Sequence, residues 1–230
     1  MDTEHTTYLI GLSPEGYVGH IYYGRKLGSE GNNYLLHMEE APFTPSVRER
    51  EKASFMDFFP MEYPAGGIGD YRESCLDVRG GSGSIGCELL FKEYRITKGK
   101  PVLPGLPASF GTEDEAETLE LVCEDRLLGI EVILAYSVFW KCDMITRSIR
   151  VDNRGEEHLK LEKVYSACLD MDNRDFEMVT LVGSWARERH IQRGALRFGR
   201  QESGDRSWFW AIRIPGILNS CGPAASHRLW

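Results

Sequence analysis

The chain has 230 residues and a formal net charge of -8, with 42% hydrophobic, 27% charged and 11% aromatic residues. That balance excludes a disordered chain, and with no basic stripe to neutralise phosphates it argues against a nucleic-acid binder. No run of about 18 apolar residues offers a membrane span, and the opening MDTEHTTYLIGLSPEG lacks the basic and long apolar regions of a secretory signal.

In chain order the dominant signal is strand. Tyr17 to Tyr23 reads as the first, punctuated by Gly24. A long polar connection follows from Gly28, with a weakly amphipathic helix expected over Val47 to Phe58. After Pro64 the candidate strands are Ser74–Val78, Glu88–Thr97, Glu117–Asp125, Ile130–Phe139, Met144–Asp152, Leu159–Cys168 and Met178–Val182. Glu117–Cys123 alternates, so Leu119, Leu121 and Cys123 share one face. Ile130–Phe139 reads as buried on both faces. Gly80-Gly81, Gly99-Lys100-Pro101, Asp125 to Gly129 and Asp152-Asn153-Arg154-Gly155 supply the turns. This spacing predicts an all-β fold, a large antiparallel β-sandwich. The six cysteines (75, 87, 123, 142, 168 and 221) form no CxxC pair, so free thiols in a cytoplasmic chain are expected rather than three disulfides.

Two motifs are weighed and set aside. Gly81-Ser82-Gly83-Ser84-Ile85-Gly86 matches GxGxxG, but the following CELLFKEYRIT alternates as a strand. A dinucleotide site needs a helix there, so a hairpin loop is the better reading. Asp170-Met171-Asp172-Asn173-Arg174-Asp175 has Asp175 at the sixth position and Leu181 at the twelfth of a calcium loop. Those positions call for Gly and Glu, so a solvated turn is expected. No GxSxG is present, and the six histidines sit in no catalytic pattern.

Seven stretches, in order, resemble the N-terminal domain of bacterial α-galactosidases of glycoside hydrolase family 36. They are GHIYYGRK (19–26), MEYPAGGIGDYR (61–72), KGKPVLPGLPA (98–108), AETLEL (116–121), MITRSIR (144–150), LEKVYSACL (161–169) and LVGSWARER (181–189). The resemblance implies a β-supersandwich, incomplete at its C-terminal end, over residues 1–201. A divergent tail, read as the result of a frameshift or premature stop, fills 202–230 and holds Trp208, Trp210 and Trp230. The family hydrolyses terminal α-galactosyl residues of raffinose- and melibiose-type oligosaccharides with retention, using two aspartates on a barrel domain and no cofactor or metal. No residue of this chain corresponds to those aspartates, so the chain alone is expected to be inactive.

In tetrameric members, a loop between the YYG strand and the EYP motif carries an acid and a base to a neighbouring subunit's sugar site. The resemblance puts the acid at Glu39 or Glu40 and the base at Arg48, Arg50 or Lys52. Asp70, Arg72, Trp185, Arg187, Glu188 and Arg189 are expected to be structural, the last three as a buried ion network beside Trp185. Partners implied are α-galactoside oligosaccharides and further copies of the chain, with no nucleic acid and no membrane. The rival reading is a free-standing β-sandwich that binds carbohydrate or a protein.

Overall fold

The computed structural model describes residues 1–28, 31–36, 38–39, 41–42, 53–56, 58–105, 108–172, 175–184, 186–197, 199–203, 216–220 and 226–229. Their regular secondary structure is all strand apart from two short 3-10 turns, and every pairing between named strands is antiparallel. No helix among them is long and apolar enough to cross a membrane. The chain divides into two compact units, Met1–Ala167 and Cys168–Trp230.

In the first unit, β1 (Thr6–Leu12) and β2 (Val18–Arg25) form a hairpin with a register shift at Leu9/Ile10. Short strands β3 (Ala41–Pro42) and β4 (Ala53–Ser54) pair with each other. The helix expected over Val47 to Phe58 falls largely outside the described residues. Residues 47–52 and Asp57 lie outside the described residues, and 53–54 are strand.

After β5 (Leu76–Arg79) comes a four-stranded meander: β6 (Leu90–Lys98), β7 (Glu117–Asp125), β8 (Ile130–Phe139) and β9 (Met144–Asn153). Then β10 (Lys160–Val164) pairs with β5. On β8, Ile130, Val132, Leu134, Tyr136 and Val138 are buried on one face, and Ile133, Ser137 and Phe139 are buried on the other. Both faces are covered, as its continuous apolar run predicts. Thr118 and Ser137 sit opposite each other within the sheet and share a 2.7 Å hydrogen bond, while the Thr118 hydroxyl also donates to the Gly99 carbonyl at 2.7 Å.

The GxGxxG stretch joins β5 to β6, strands of two different sheets, with no helix after it. The link is therefore a loop between sheets rather than a hairpin. Gly83, at φ 86, closes it by donating to the Gly80 carbonyl at 2.9 Å.

In the second unit, β11 (Leu169–Asp172), β14 (Gly199–Ser203), β15 (Gly216–Ser220) and β16 (Ser226–Leu229) form one sheet in the order β11-β16-β15-β14. β12 (Glu177–Ser184) and β13 (Arg187–Ala195) form a separate hairpin. The domain boundary drawn at 201 from the sequence falls within β14. Asp170 and Asp172 lie on β11 rather than in a solvated turn, and Asn173 and Arg174 lie outside the described residues.

Five cysteines are free thiols, four of them buried (75, 87, 123 and 168) and Cys142 exposed. Cys221 lies outside the described residues. Burial pushes the Cys87 and Cys123 thiols up to about 12, which keeps them protonated and inert at neutral pH.

Candidate functional site

The connection between β2 and β5 is rooted on one apolar cluster. Tyr17, Phe55, Met56, Phe59 and Met61 are its buried members, and Leu36 and Met38 pack against them. Residues before and after the β3–β4 pair thus share one anchor. Phe59 stands edge-on to Phe55 with ring centres 5.4 Å apart, and Phe55 edge-on to Tyr17 at 5.9 Å. Gly19 makes the close approach possible: a Cβ there would lie 2.7 Å from the Phe59 ring and 2.8 Å from Leu36. The end of the connection then pairs with β2, where the His20 amide donates to the Pro60 carbonyl at 2.7 Å and the Glu62 amide donates to the Val18 carbonyl at 2.9 Å.

Asp70 and Arg72 lock that root. Arg72 Nε and Nη2 meet the Asp70 carboxylate at 2.8 and 3.0 Å, and the Arg72 amide donates to it at 3.0 Å. Nη2 also donates to the carbonyls of Phe59 at 2.6 Å and Met56 at 3.3 Å. Glu39 is exposed at the start of the β3–β4 region. Glu40, Arg48, Arg50 and Lys52 lie outside the described residues.

Behind this root lies a polar group that sequence reasoning missed. Glu62 is fully buried, and its Oε1 accepts the Tyr8 and Tyr136 hydroxyls at 2.7 Å each. Arg147 Nη1 lies 2.9 Å from the same oxygen, and Nη2 donates to the Glu62 carbonyl at 3.0 Å. His20 Nδ1 stands 3.3 Å from Oε2 but out of line for a hydrogen bond. Burial alone would raise the Glu62 pKa, but Arg147 and then His20 outweigh it and hold the carboxyl below its usual value. Burial, followed by the Glu62 charge, raises Tyr136 well above the tyrosine range, so its phenol stays a donor. A carboxylate this enclosed orders the fold and has no route to a substrate. The signal in the sequence was slight: one glutamate in an apolar motif, with all its partners remote.

A second polar hub joins the N-terminus to the β8–β9 turn. Asp143, at φ 49, accepts the Thr3 hydroxyl at 2.7 Å, the His5 amide at 2.8 Å and the His5 ring at 2.7 Å. Those bonds, Thr3 first, hold its carboxyl down to about 2, and Asp143 in turn raises His5 above 6.5. Asp143 therefore contributes stability above pH 3.8 that is lost as pH falls toward 2. His5 contributes below pH 6.5 and loses that contribution as pH rises through its raised value. Asp143→Asn keeps a residue tolerant of positive φ and is expected to bring the His5 pKa down toward 6.5 in a proton NMR titration. An unmoved His5 titration would refute the pairing.

The expected buried network over Arg187, Glu188 and Arg189 is corrected: all three are exposed on β13. The tight turn explains it, because Ser184 pairs directly with Arg187 and Ala186 and Arg189 take φ 60 and 62. The charges stand at the tip of a two-stranded hairpin, where neither strand face is enclosed. Trp185 lies outside the described residues.

Residues 16–207 match the glycosyl hydrolase family 36 N-terminal domain. The chain is 38% identical over 208 residues to the bifunctional alpha-galactosidase/sucrose kinase AgaSK of Mediterraneibacter gnavus, covering 90% of this chain and 22% of that protein. It is 37% identical over 201 residues to alpha-galactosidase AgaA of Geobacillus stearothermophilus, covering 87% and 28%. The solved galactosidase domain of AgaSK superposes with a TM-score of 0.90 at 32% identity, over 100% of this chain and 36% of that one. The AgaA crystal structure superposes with a TM-score of 0.90 at 30% identity, over 100% and 36%. The chain thus spans about a quarter of the length of these curated relatives. With its antiparallel β-sandwich architecture and a family match over most of its residues, the chain belongs to glycoside hydrolase family 36, as its N-terminal domain.

Proposed function

We propose that this chain is the non-catalytic sandwich of a cytoplasmic α-galactosidase that removes terminal α-galactosyl groups from raffinose- and melibiose-type oligosaccharides. Its work is to help assemble a homotetramer and to complete the sugar site of a neighbouring subunit. The acid is Glu39 or Glu40 and the base is Arg48, Arg50 or Lys52, each reaching sugar hydroxyls. Retaining hydrolysis needs two carboxylates about 5–5.5 Å apart, and these belong to another part of the longer enzyme. The observation that carries the reading is the rooted connection itself. Both ends of the β3–β4 region are pinned to one buried cluster, as a segment presenting charges to a partner requires.

The pure 230-residue protein is expected to release no p-nitrophenol from p-nitrophenyl α-galactoside above a blank. A chimera placing this chain over the matching quarter of Geobacillus AgaA is expected to hydrolyse raffinose. In it, neutralising the acid (Glu39→Gln, Glu40→Gln) or the base (Arg48→Met, Arg50→Met, Lys52→Met) is expected to raise KM about tenfold, the worth of one charged hydrogen bond. An active chimera whose KM ignores all five changes would sink the reading. Saturable binding of a glycan by the isolated monomer would favour a free-standing binding module instead.

A further inference from the structure

We propose that β6 is a docking edge for a second copy of this chain, with two β6 strands pairing antiparallel about a two-fold axis at Tyr94. This deepens, and rests on, the assembly role proposed above. β6 stands at the end of the β6-β7-β8-β9 sheet, and among the described residues no strand pairs with its outer side. Residues 92–98 are exposed throughout. Directly opposite residues in a sheet share a face. Tyr94 lies opposite Leu121, and Leu121 opposite Leu134, so the three form one row. Ile96, Leu119 and Tyr136 form the next. Leu134 and Tyr136 are each 1% exposed, while Tyr94 is 63% and Ile96 62% exposed. Two rows of the apolar core thus run out to the sheet edge and end exposed, at a place where edge strands ordinarily carry polar groups.

Charge on the other face of β6 identifies the occupant. Glu93 and Arg95 share that face, contact each other along the strand and are each about half exposed. Charges on an edge usually repel an incoming strand. Here their signs alternate two residues apart. An antiparallel copy centred on Tyr94 therefore brings Glu93 opposite Arg95 of the second copy, and does so twice. A register centred on Arg95 would oppose two arginines, and one centred on Ile96 would set Glu93 against Gly99. The Tyr94 register also sets that ring against its own symmetry mate, so the Leu134-Leu121-Tyr94 row continues into the copy. An apolar row and a charge pattern thus select the same register. Such an interface is isologous and closes on two copies. The bulge between Phe91 and Glu93 limits the paired length, so the dimer is small and weak.

Sedimentation velocity of the 230-residue protein, from about 10 µM to about 1 mM, reads the association. A monomer–dimer equilibrium is expected. Glu93→Arg and Arg95→Glu are each expected to weaken it about tenfold or more, and the double variant to recover it to within about threefold. Tyr94→Lys is expected to leave a monomer. All three positions are exposed, so each variant should melt within about 2 °C of the native chain. A monomer at every concentration, a dimer indifferent to the charge reversals, or open-ended oligomers would overturn the proposal. A two-fold symmetric tetramer that loses one interface falls to dimers, and that is the expected effect of Tyr94→Lys in the AgaA chimera. A tetramer unmoved by Tyr94→Lys would mean that another strand of the longer enzyme fills the edge. The role of β6 is then wrong and the assembly reading stands. A chimera that is monomeric from the outset sinks both.

Discussion

Replacing Arg147 with methionine is expected to destabilise the first unit by about 3–5 kcal/mol, the usual result of stripping one partner from a buried ion pair. For a unit of this size that is a fall in Tm of roughly 10 °C. The loss is large because Glu62 is fully buried and Arg147 faces it twice, through its side chain at 2.9 Å and its main-chain carbonyl at 3.0 Å. The guanidinium also lies 5.0 Å from the centre of the Tyr136 ring.

The pH dependence should reverse as well. In the native chain Glu62 is held below 4.5, so its contribution is present above that value and is lost as pH falls through the lowered one. Without Arg147, burial becomes the dominant influence and raises the carboxyl above 4.5. Stability of the variant should then decline as pH rises above 4.5. Urea midpoints at pH 4.5 and 7.5 check both statements. Adding Glu62→Gln to the variant should recover part of the loss by removing the stranded charge. A variant with the native pH profile would show that Arg147 does not neutralise Glu62.

Phe59→Ala is the second large effect, about 3–5 kcal/mol. The ring is fully buried, stands against Phe55 and fills the space that Gly19 leaves open. Its removal leaves a cavity walled by β2, and a strand held in its ladder cannot collapse into it. The Phe59 carbonyl is also the shorter of the two bonds to Arg72, at 2.6 Å, so the substitution loosens the Asp70–Arg72 lock indirectly. Chemical denaturation should report the loss in midpoint with little change in slope. A cost below about 1 kcal/mol would mean that the cluster is loosely packed.

Much of the fold could be read in the sequence where one physical signal dominated. The ranges for β7 and β8, Glu117–Asp125 and Ile130–Phe139, coincide with the structure because alternation and a buried apolar run mark them. The range Leu159–Cys168 failed in an instructive way. It holds β10 and then a link into β11, and the break at Tyr165–Cys168 carries no Gly or Pro to announce it. β1 was not predicted, although TTYLIGL forms a strand with Tyr8 buried. β13 was missed because RERHIQRGA is exposed throughout, so no period-2 signal survives.

The site divides in the same way. Asp70 and Arg72 are two residues apart, and a local pair is visible in the sequence. The Glu62 group draws on four remote partners, Tyr8, His20, Tyr136 and Arg147, and no window contains it. Seven collinear motifs supplied what periodicity could not, namely the family and the segment on which its charges are expected.

The Glu62 group also imposes an order on folding. Its first partners lie upstream, Tyr8 at 54 residues and His20 in β2, and are already made when Glu62 appears. Tyr136 follows 74 residues later, and the guanidinium of Arg147 comes 85 residues after Glu62. Until then the carboxylate lacks its main counter-charge, and burying it would push it toward taking up a proton. The EYP turn is therefore expected to dock only once β9 is in place. Closing a loop of that span carries an entropic cost and is characteristic of slowly folding, non-local topologies. Matching this charge is a late checkpoint: the root that presents the β3–β4 segment becomes firm only after the sheet behind it is complete.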